Sequence, residues 1–279
     1  MAININSGMQ GAAAANRLNN AHESLTQSIE RISTGRKINS AADDASGMAI
    51  ADGLRSRALG MGQAMKNAAD GISISQVADG ALGQVTDLVT SIRTNALQAA
   101  NASQSMESRQ AIQADIDKSL ETLDGIAETT SFNGQKLLSG NFTDKQFTVG
   151  PNSGETVDIS ISSAQSSKLG SPGEQGALSD INVTTQEGAQ NAVAIADEAL
   201  KQVNETRSDI GSVQNQLTST VNNLSQSRVN AFQAESRIRD TDIAEESMNM
   251  NRAELLLKAR TFAQAQANAS AKNVTNLLG

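Results

Sequence analysis

The sequence predicts a mainly α fold, a long antiparallel helical bundle packed as a coiled-coil rod, with one small β-hairpin region set into it. Two helical rhythms and one change of composition point there. Residues 193–238 keep a three-four alternation through Val193, Ala196, Leu200, Val203, Arg207, Ile210, Gln214, Leu217, Val221, Leu224, Arg228, Ala231, Glu235 and Ile238. The polar members Arg207, Gln214, Arg228 and Glu235 share one heptad letter, so the other letter is apolar throughout, the pattern of a seam between helices. A helix of about 46 residues is about 69 Å long and needs other long helices beside it to bury such a stripe. The second rhythm runs Leu54, Ala58, Met61, Met65, Ala68, Ile72 and resumes, slightly shifted, as Leu82, Val85, Val89, Ile92, Ala96, Ala99. Between the two, residues 129–181 hold both prolines and three of the five phenylalanines.

The first element, residues 5–32, places Leu18, Ala21, Leu25, Ile29 and Ile32 at helical spacing after an alanine-rich lead, a thin amphipathic stripe. The lone His22 beside it has no second His and no Cys to share a metal with, so it reads as an ordinary helical histidine. Residues 33–46 break the rhythm with Gly35 and a run of Ser, Asn and Asp. They form a connector in which Asp43 or Asp44 caps the next helix. The methionines of the following rhythm, at heptad spacing, read as packed seam. A serine-rich turn at 101–108 leads to a third helix through Ile112, Ile116, Ser119, Leu123 and Ile126. Residues 146–149 and 156–161 alternate polar with apolar around GPNSGE, a hairpin signal. The serines at 160–167 read as exposed loop, the segment offered to O-linked sugar. After the long helix, RDTD at 239–242 makes a second break. The last helix carries Leu255, Leu256, Phe262, Val274, Leu277 and Leu278 on a mostly alanine seam. The expected segments are therefore 1–43, 44–181 with the hairpin region near 129–165, 182–239 and 240–279, with both termini at one end of the rod.

With no Tyr, no Trp and no Cys, the chain lacks the aromatic lining of ordinary ligand pockets and the thiolates of metal sites. No cofactor is expected. A net charge of -8 is the wrong sign for a nucleic-acid partner, and no apolar run approaches a membrane span. The N-terminal twenty residues have neither the basic start nor the apolar core of a secretory signal peptide. The terminal helices carry too little bulky side chain to offset their backbone entropy alone, so they are expected to order against other chains.

ISTGRKINSAADDASGMAIADGLRSR (32–57), NAADGISISQVADGAL (67–82), TSFNGQKLLSG (130–140), RSDIGSVQNQL (207–217) and SRIRDTDIAEESMNM (236–250) together resemble bacterial flagellin, in order and over nearly the whole chain. The middle stretch is similar to the short hairpin region of flagellins without their large variable insertion. The resemblance implies a non-enzymatic subunit of a helical homopolymer, the motility propeller, with terminal helices forming an inner tube inside a layer of rods. It implies export through the flagellar type III apparatus, a chaperone on the C-terminal helix near 253–279, and filament cap and hook-junction proteins as further partners. Hook-junction proteins share the terminal patterns and are the alternative; a flagellin-like enzyme would need a catalytic insertion, and the excursion here has no His and no H-E-x-x-H. The implied tube contacts are Leu18, Leu25, Ile29, Ile32, Leu255, Leu256, Phe262, Val274, Leu277 and Leu278. The implied rod core is Leu54, Met61, Met65, Ile72, Val89, Ile92, Ile116, Leu123, Val203, Ile210, Leu217 and Leu224. Many flagellins also resemble ligands of Toll-like receptor 5 around 92–101. Arg93, Gln98, Asn101 and Asp115 match that pattern, while Ser91, Thr94 and Asn95 depart from it.

Overall fold

A computed structural model describes the backbone of residues 7–171 and 176–278. It contains five long helices: α1 (Ser7–Thr34), α2 (Ala45–Ala100), α3 (Met106–Thr129), α4 (Gln186–Arg239) and α5 (Ile243–Leu278). Between α3 and α4 lie three two-stranded antiparallel pairs: β1 (Ser131–Phe132) with β2 (Gln135–Lys136), β3 (Lys145–Thr148) with β4 (Thr156–Ile159), and β5 (Gly170–Ser171) with β6 (Gly176–Ala177). Residues 57–229 form one compact unit, and 1–56 with 230–279 form another. Both long helices contribute to each unit, so the division falls inside helices and not at the connectors.

In the unit 57–229, α2 keeps a strict heptad. Met61, Ala68, Ser75, Leu82, Val89 and Ala96 occupy one letter and Ala64, Gly71, Ala78, Val85, Ile92 and Ala99 the other, all buried. The apparent shift near residue 72 is thus no break. The seam passes there through the small residues Ala64, Gly71, Ser75 and Ala78, which carry little hydrophobic signal, and Met65 and Ile72 are half-buried at its edge. Small residues admit close neighbours: a Cβ at Gly71 would stand 3.1 Å from Leu217 Cδ1 and 3.3 Å from Ile159 Cδ1. The helix, the long helix α4 and the hairpin therefore meet at a residue with no side chain.

On α4 the all-apolar letter is buried at Ala196, Val203, Ile210 and Leu217 and half-buried at Leu224. The helix has 54 residues. It begins earlier than its rhythm because the Thr185 hydroxyl accepts a hydrogen bond from the Gly188 N–H at 3.1 Å, as an N-cap does. In α3 the Ser105 hydroxyl accepts from Ser108 N, and the stripe of Ile112, Ile116, Leu120 and Leu123 is buried. Leu120 takes the place expected of Ser119, which is half-buried.

The hairpin β3–β4 pairs Lys145 with Ile159 and Thr148 with Thr156, burying Val157 and Ile159. The short pair β1–β2 turns through Asn133 (φ 48°) and Gly134 (φ 78°), the doubly left-handed turn that Asn-Gly favours. The serine-rich segment, expected as exposed loop, instead helps to seal the core together with residues 177–181. Ile161, Ala164, Leu169, Leu178 and Ile181 are buried. Ser166 is buried as well, its N–H and hydroxyl donating to the Asp124 carboxylate at 2.8 and 2.7 Å. The Ser160 hydroxyl donates to Asp144 at 3.1 Å while the residue stays exposed, as do Ser162 and Ser167.

Candidate interaction surface

In the unit formed by 1–56 and 230–279, α1 and α5 lie side by side in opposite directions. Arg260 Nη1 donates to the Arg17 carbonyl at 2.6 Å, and about four turns away Arg31 faces Glu246 at 3.9 Å. The buried residues between them are Ala21, Ser28, Ala253 and Glu246. The two helices therefore meet largely through small side chains, and several of their large apolar residues stay open. Ile29 is 50% exposed, Leu255 68%, Leu256 44% and Phe262 75%. Leu18, Leu25 and Ile32 are half-buried. Close helix approach is set by the small residues, and the bulky ones are left over. Val274, Leu277 and Leu278 lie outside the residues whose side chains are described.

The two breaks in the chain stand against one another in this unit. Lys37 N donates to the Arg239 carbonyl at 2.7 Å, Thr241 N donates to the Gly35 carbonyl at 3.1 Å, and Arg36 and Asp240 form an antiparallel bridge. Both aspartates of the connector cap, each in its own way. Asp44 Oδ1 accepts from Ser46 N and Gly47 N at 3.0 and 2.9 Å and begins α2. Asp43 Oδ2 accepts from Ser40 N and Asn39 N at 2.9 and 3.1 Å, and the Ser40 N–H holds its carboxyl below the ordinary carboxylate range. Two ion pairs join the first turns of α2 to the last turns of α4: Arg239 Nη1 with Asp52 Oδ1 at 2.8 Å and Arg55 with Glu235 at 3.6 Å.

The unit 57–229 shows the same antiparallel ion pairing, with Arg207 on Asp79 at 2.9 Å and Arg93 on Asp197 at 2.5 Å. Of the four polar interruptions in the long helix's heptad, two are accounted for by these pairs, since Glu235 meets Arg55 and Arg207 meets Asp79. Arg228 lies over Gly62, with its guanidinium carbon 3.5 Å from where a Cβ would stand. Arg93 is therefore engaged with α4, whereas Gln98, Asn101 and Asp115 of the receptor pattern are exposed.

Cavities at this unit's surface are shallow. One of about 580 Å³ is lined by Ile74, Phe132, Phe142, Phe147 and Asp70; one of about 570 Å³ lies between Arg57, Glu155 and the polar face of α4 at Gln216, Thr220 and Asn223. Among the described residues no three His, Cys, Asp or Glu side chains stand close enough to hold a metal ion, and no helix is long and apolar enough to cross a membrane.

Residues 5–143 match the bacterial flagellin N-terminal helical region and residues 193–278 the C-terminal helical region. Flagellin B of Vibrio cholerae is 33% identical over 376 aligned positions that cover all of both chains. About a quarter of those positions hold a residue in the Vibrio protein alone. The flagellar filament 33 kDa core protein of Treponema phagedenis is 35% identical over 284 positions, covering 98% of this chain and 99% of that one. A flagellar hook-associated protein from Vibrio parahaemolyticus shares the fold at TM-score 0.60 and 17% identity, over 71% of this chain and all of that one.

Proposed function

Because the chain belongs to the bacterial flagellin family and is a structural subunit of the flagellar filament, we propose that its unit of 1–56 and 230–279 is the part that assembles. The observation that supports this is the exposed apolar side of α5, Leu255, Leu256 and Phe262, beside a contact to α1 made by small residues. An isolated helix with such a stripe is marginal in water, and neighbouring subunits supply the missing cover. Val274, Leu277 and Leu278 continue the same stripe in sequence. On the N-terminal side Leu18, Leu25, Ile29 and Ile32 contribute to the same tube. The contacts are heterologous, one patch against a different one, so they propagate a helix and do not close a ring.

Before assembly the same α5 surface is the docking place of an export chaperone, which must compete with polymerisation for it. The subunit leaves the cell through the flagellar type III apparatus and meets the hook-junction and cap proteins at the filament's two ends. The fold likeness to a hook-associated protein stands at 17% identity and speaks to fold alone, so the filament reading is preferred. Recognition by Toll-like receptor 5 would use Gln98, Asn101 and Asp115, with Arg93 drawn away from Asp197.

Electron microscopy of purified protein tests the assembly reading, with Leu255→Gln/Phe262→Gln beside the unaltered chain. Each apolar side chain buried in the filament contributes about 2 kcal/mol, so the threshold concentration for filaments should rise roughly thirtyfold per lost side chain. Filaments formed at an unchanged threshold would refute this role for α5.

A further inference from the structure

We infer that Asp52, Arg55, Glu235 and Arg239 form a charge clasp that positions the terminal helices for assembly, a role that rests on the filament reading above. The clasp sits on two turns of antiparallel helix. Asp52 and Arg55 are three residues apart on α2, Glu235 and Arg239 four apart on α4, and the signs alternate so that each residue faces its opposite. Sliding one helix by a turn would bring Arg55 toward Arg239, so a single register satisfies both pairs. On α4 the partners are well covered, with side chains 12% and 11% exposed, while on α2 they are about half exposed. The cover matters because a buried charge whose partner is removed stays uncompensated.

Arg239 links this register to the terminal helices. Its guanidinium holds Asp52 at 2.8 Å, and its carbonyl accepts from Lys37 N at 2.7 Å and Ile38 N at 3.5 Å. The same residue thus joins the start of α2 to the connector that leaves α1. The next residue, Asp240, bridges Arg36, and the one after donates to Gly35. With the guanidinium seated, the backbone at 239–241 is set to receive the connector, and α1 and α5 leave their junctions from adjacent points. Arg239 and Asp52 are positioning residues that act through the two connectors.

The test is a double-mutant cycle on assembly with an exchange readout. Asp52→Asn and Arg239→Gln each remove the pair while leaving the backbone acceptors in place, and neither touches the core of 57–229. Filaments of each variant, grown from unaltered seeds, are compared for threshold concentration and for amide hydrogen exchange at Lys37, Ile38 and Thr241. Each single change should raise the threshold about fivefold and speed exchange at these amides by about the same factor. The double change should be no worse than the worse single, because one interaction is removed once. The melting of 57–229 should not move. Unchanged exchange at Lys37 in Asp52→Asn, or additive effects in the double variant, would overturn the clasp while leaving the filament reading intact. Failure of the unaltered protein to form filaments would overturn both.

Discussion

The two units of this chain handle the same kind of helix in opposite ways. Residues 57–229 bury Leu82, Val85, Val89, Ile92, Ile116, Leu123, Ile159, Leu178, Ile210 and Leu217 in one continuous core. Residues 1–56 and 230–279 bury mainly alanines and leave Ile29, Met248, Leu255 and Phe262 open. Charge divides along the same line. The unit 57–229 has 11 Lys and Arg against 19 Asp and Glu and so holds the entire net charge of -8, whereas the other unit has 11 of each. A neutral unit with spare apolar surface can be stacked against copies of itself without Coulomb cost, and a charged unit with a closed core stays soluble when stacked. A closed apolar core and open apolar surface thus fall to different units of the chain.

The largest test of that separation is Leu217→Ala. Leu217 is fully buried against the gap that Gly71 leaves, and its truncation should cost about 2–5 kcal/mol. Thermal melting of 57–229 should fall accordingly; a change that moved the filament threshold and left the melt alone would reverse the assignment of roles. Ser75→Ala works in the other direction. The Ser75 hydroxyl is buried in the heptad with no hydrogen-bond partner, so replacing it should raise stability by about 1 kcal/mol, read as a higher denaturant midpoint with an unchanged slope. Destabilisation there would mean the hydroxyl is satisfied in solution.

Salt sharpens the charge comparison. Raising ionic strength from about 0.05 to about 0.5 M shortens the screening length several-fold, and should lower the threshold for filaments roughly two- to threefold as the acidic units cease to repel. Adding lysines to the surface of 57–229 should abolish that dependence. The smallest effect belongs to Asp43. Its carboxyl is depressed by the Ser40 and Asn39 N–H donors, so its contribution to the connector is fully present above the ordinary carboxylate value, near pH 4, and is lost as pH falls through the lowered one. Asp43→Asn should therefore flatten the acid limb of filament dissociation below about pH 4. An identical acid limb in the variant would show that the connector's cap does not limit the filament.

Periodicity alone was enough for α4, because an apolar residue every seven positions is a property of the string and survives any arrangement in space. It was not enough for the middle of α2, where the seam runs through Ala64, Gly71, Ser75 and Ala78. A helix that must let Ile159 and Leu217 come close needs small residues, and small residues look like no seam at all. The serine-rich segment at 160–167 hides its packing for a related reason. Its serines signal exposure, yet Ser166 is paid for by Asp124, forty-two positions earlier. The polar interruptions at Arg207 and Glu235 were visible as anomalies, but their partners Asp79 and Arg55 were not, since pairing depends on the register of two antiparallel helices far apart in the chain.

The sequence by itself determined the helical rhythm, the position of the breaks, the hairpin and the family. Those are local or repeated signals, written in neighbouring residues and turn chemistry. The tertiary structure decided which apolar residues enter the chain's own core and which stay open at its surface. Leu217 and Leu255 are alike as residues on amphipathic helices. One is buried and the other open only because small residues bring α1 and α5 together while a whole layer of helices and strands closes over α4, and that is a property of packing in three dimensions.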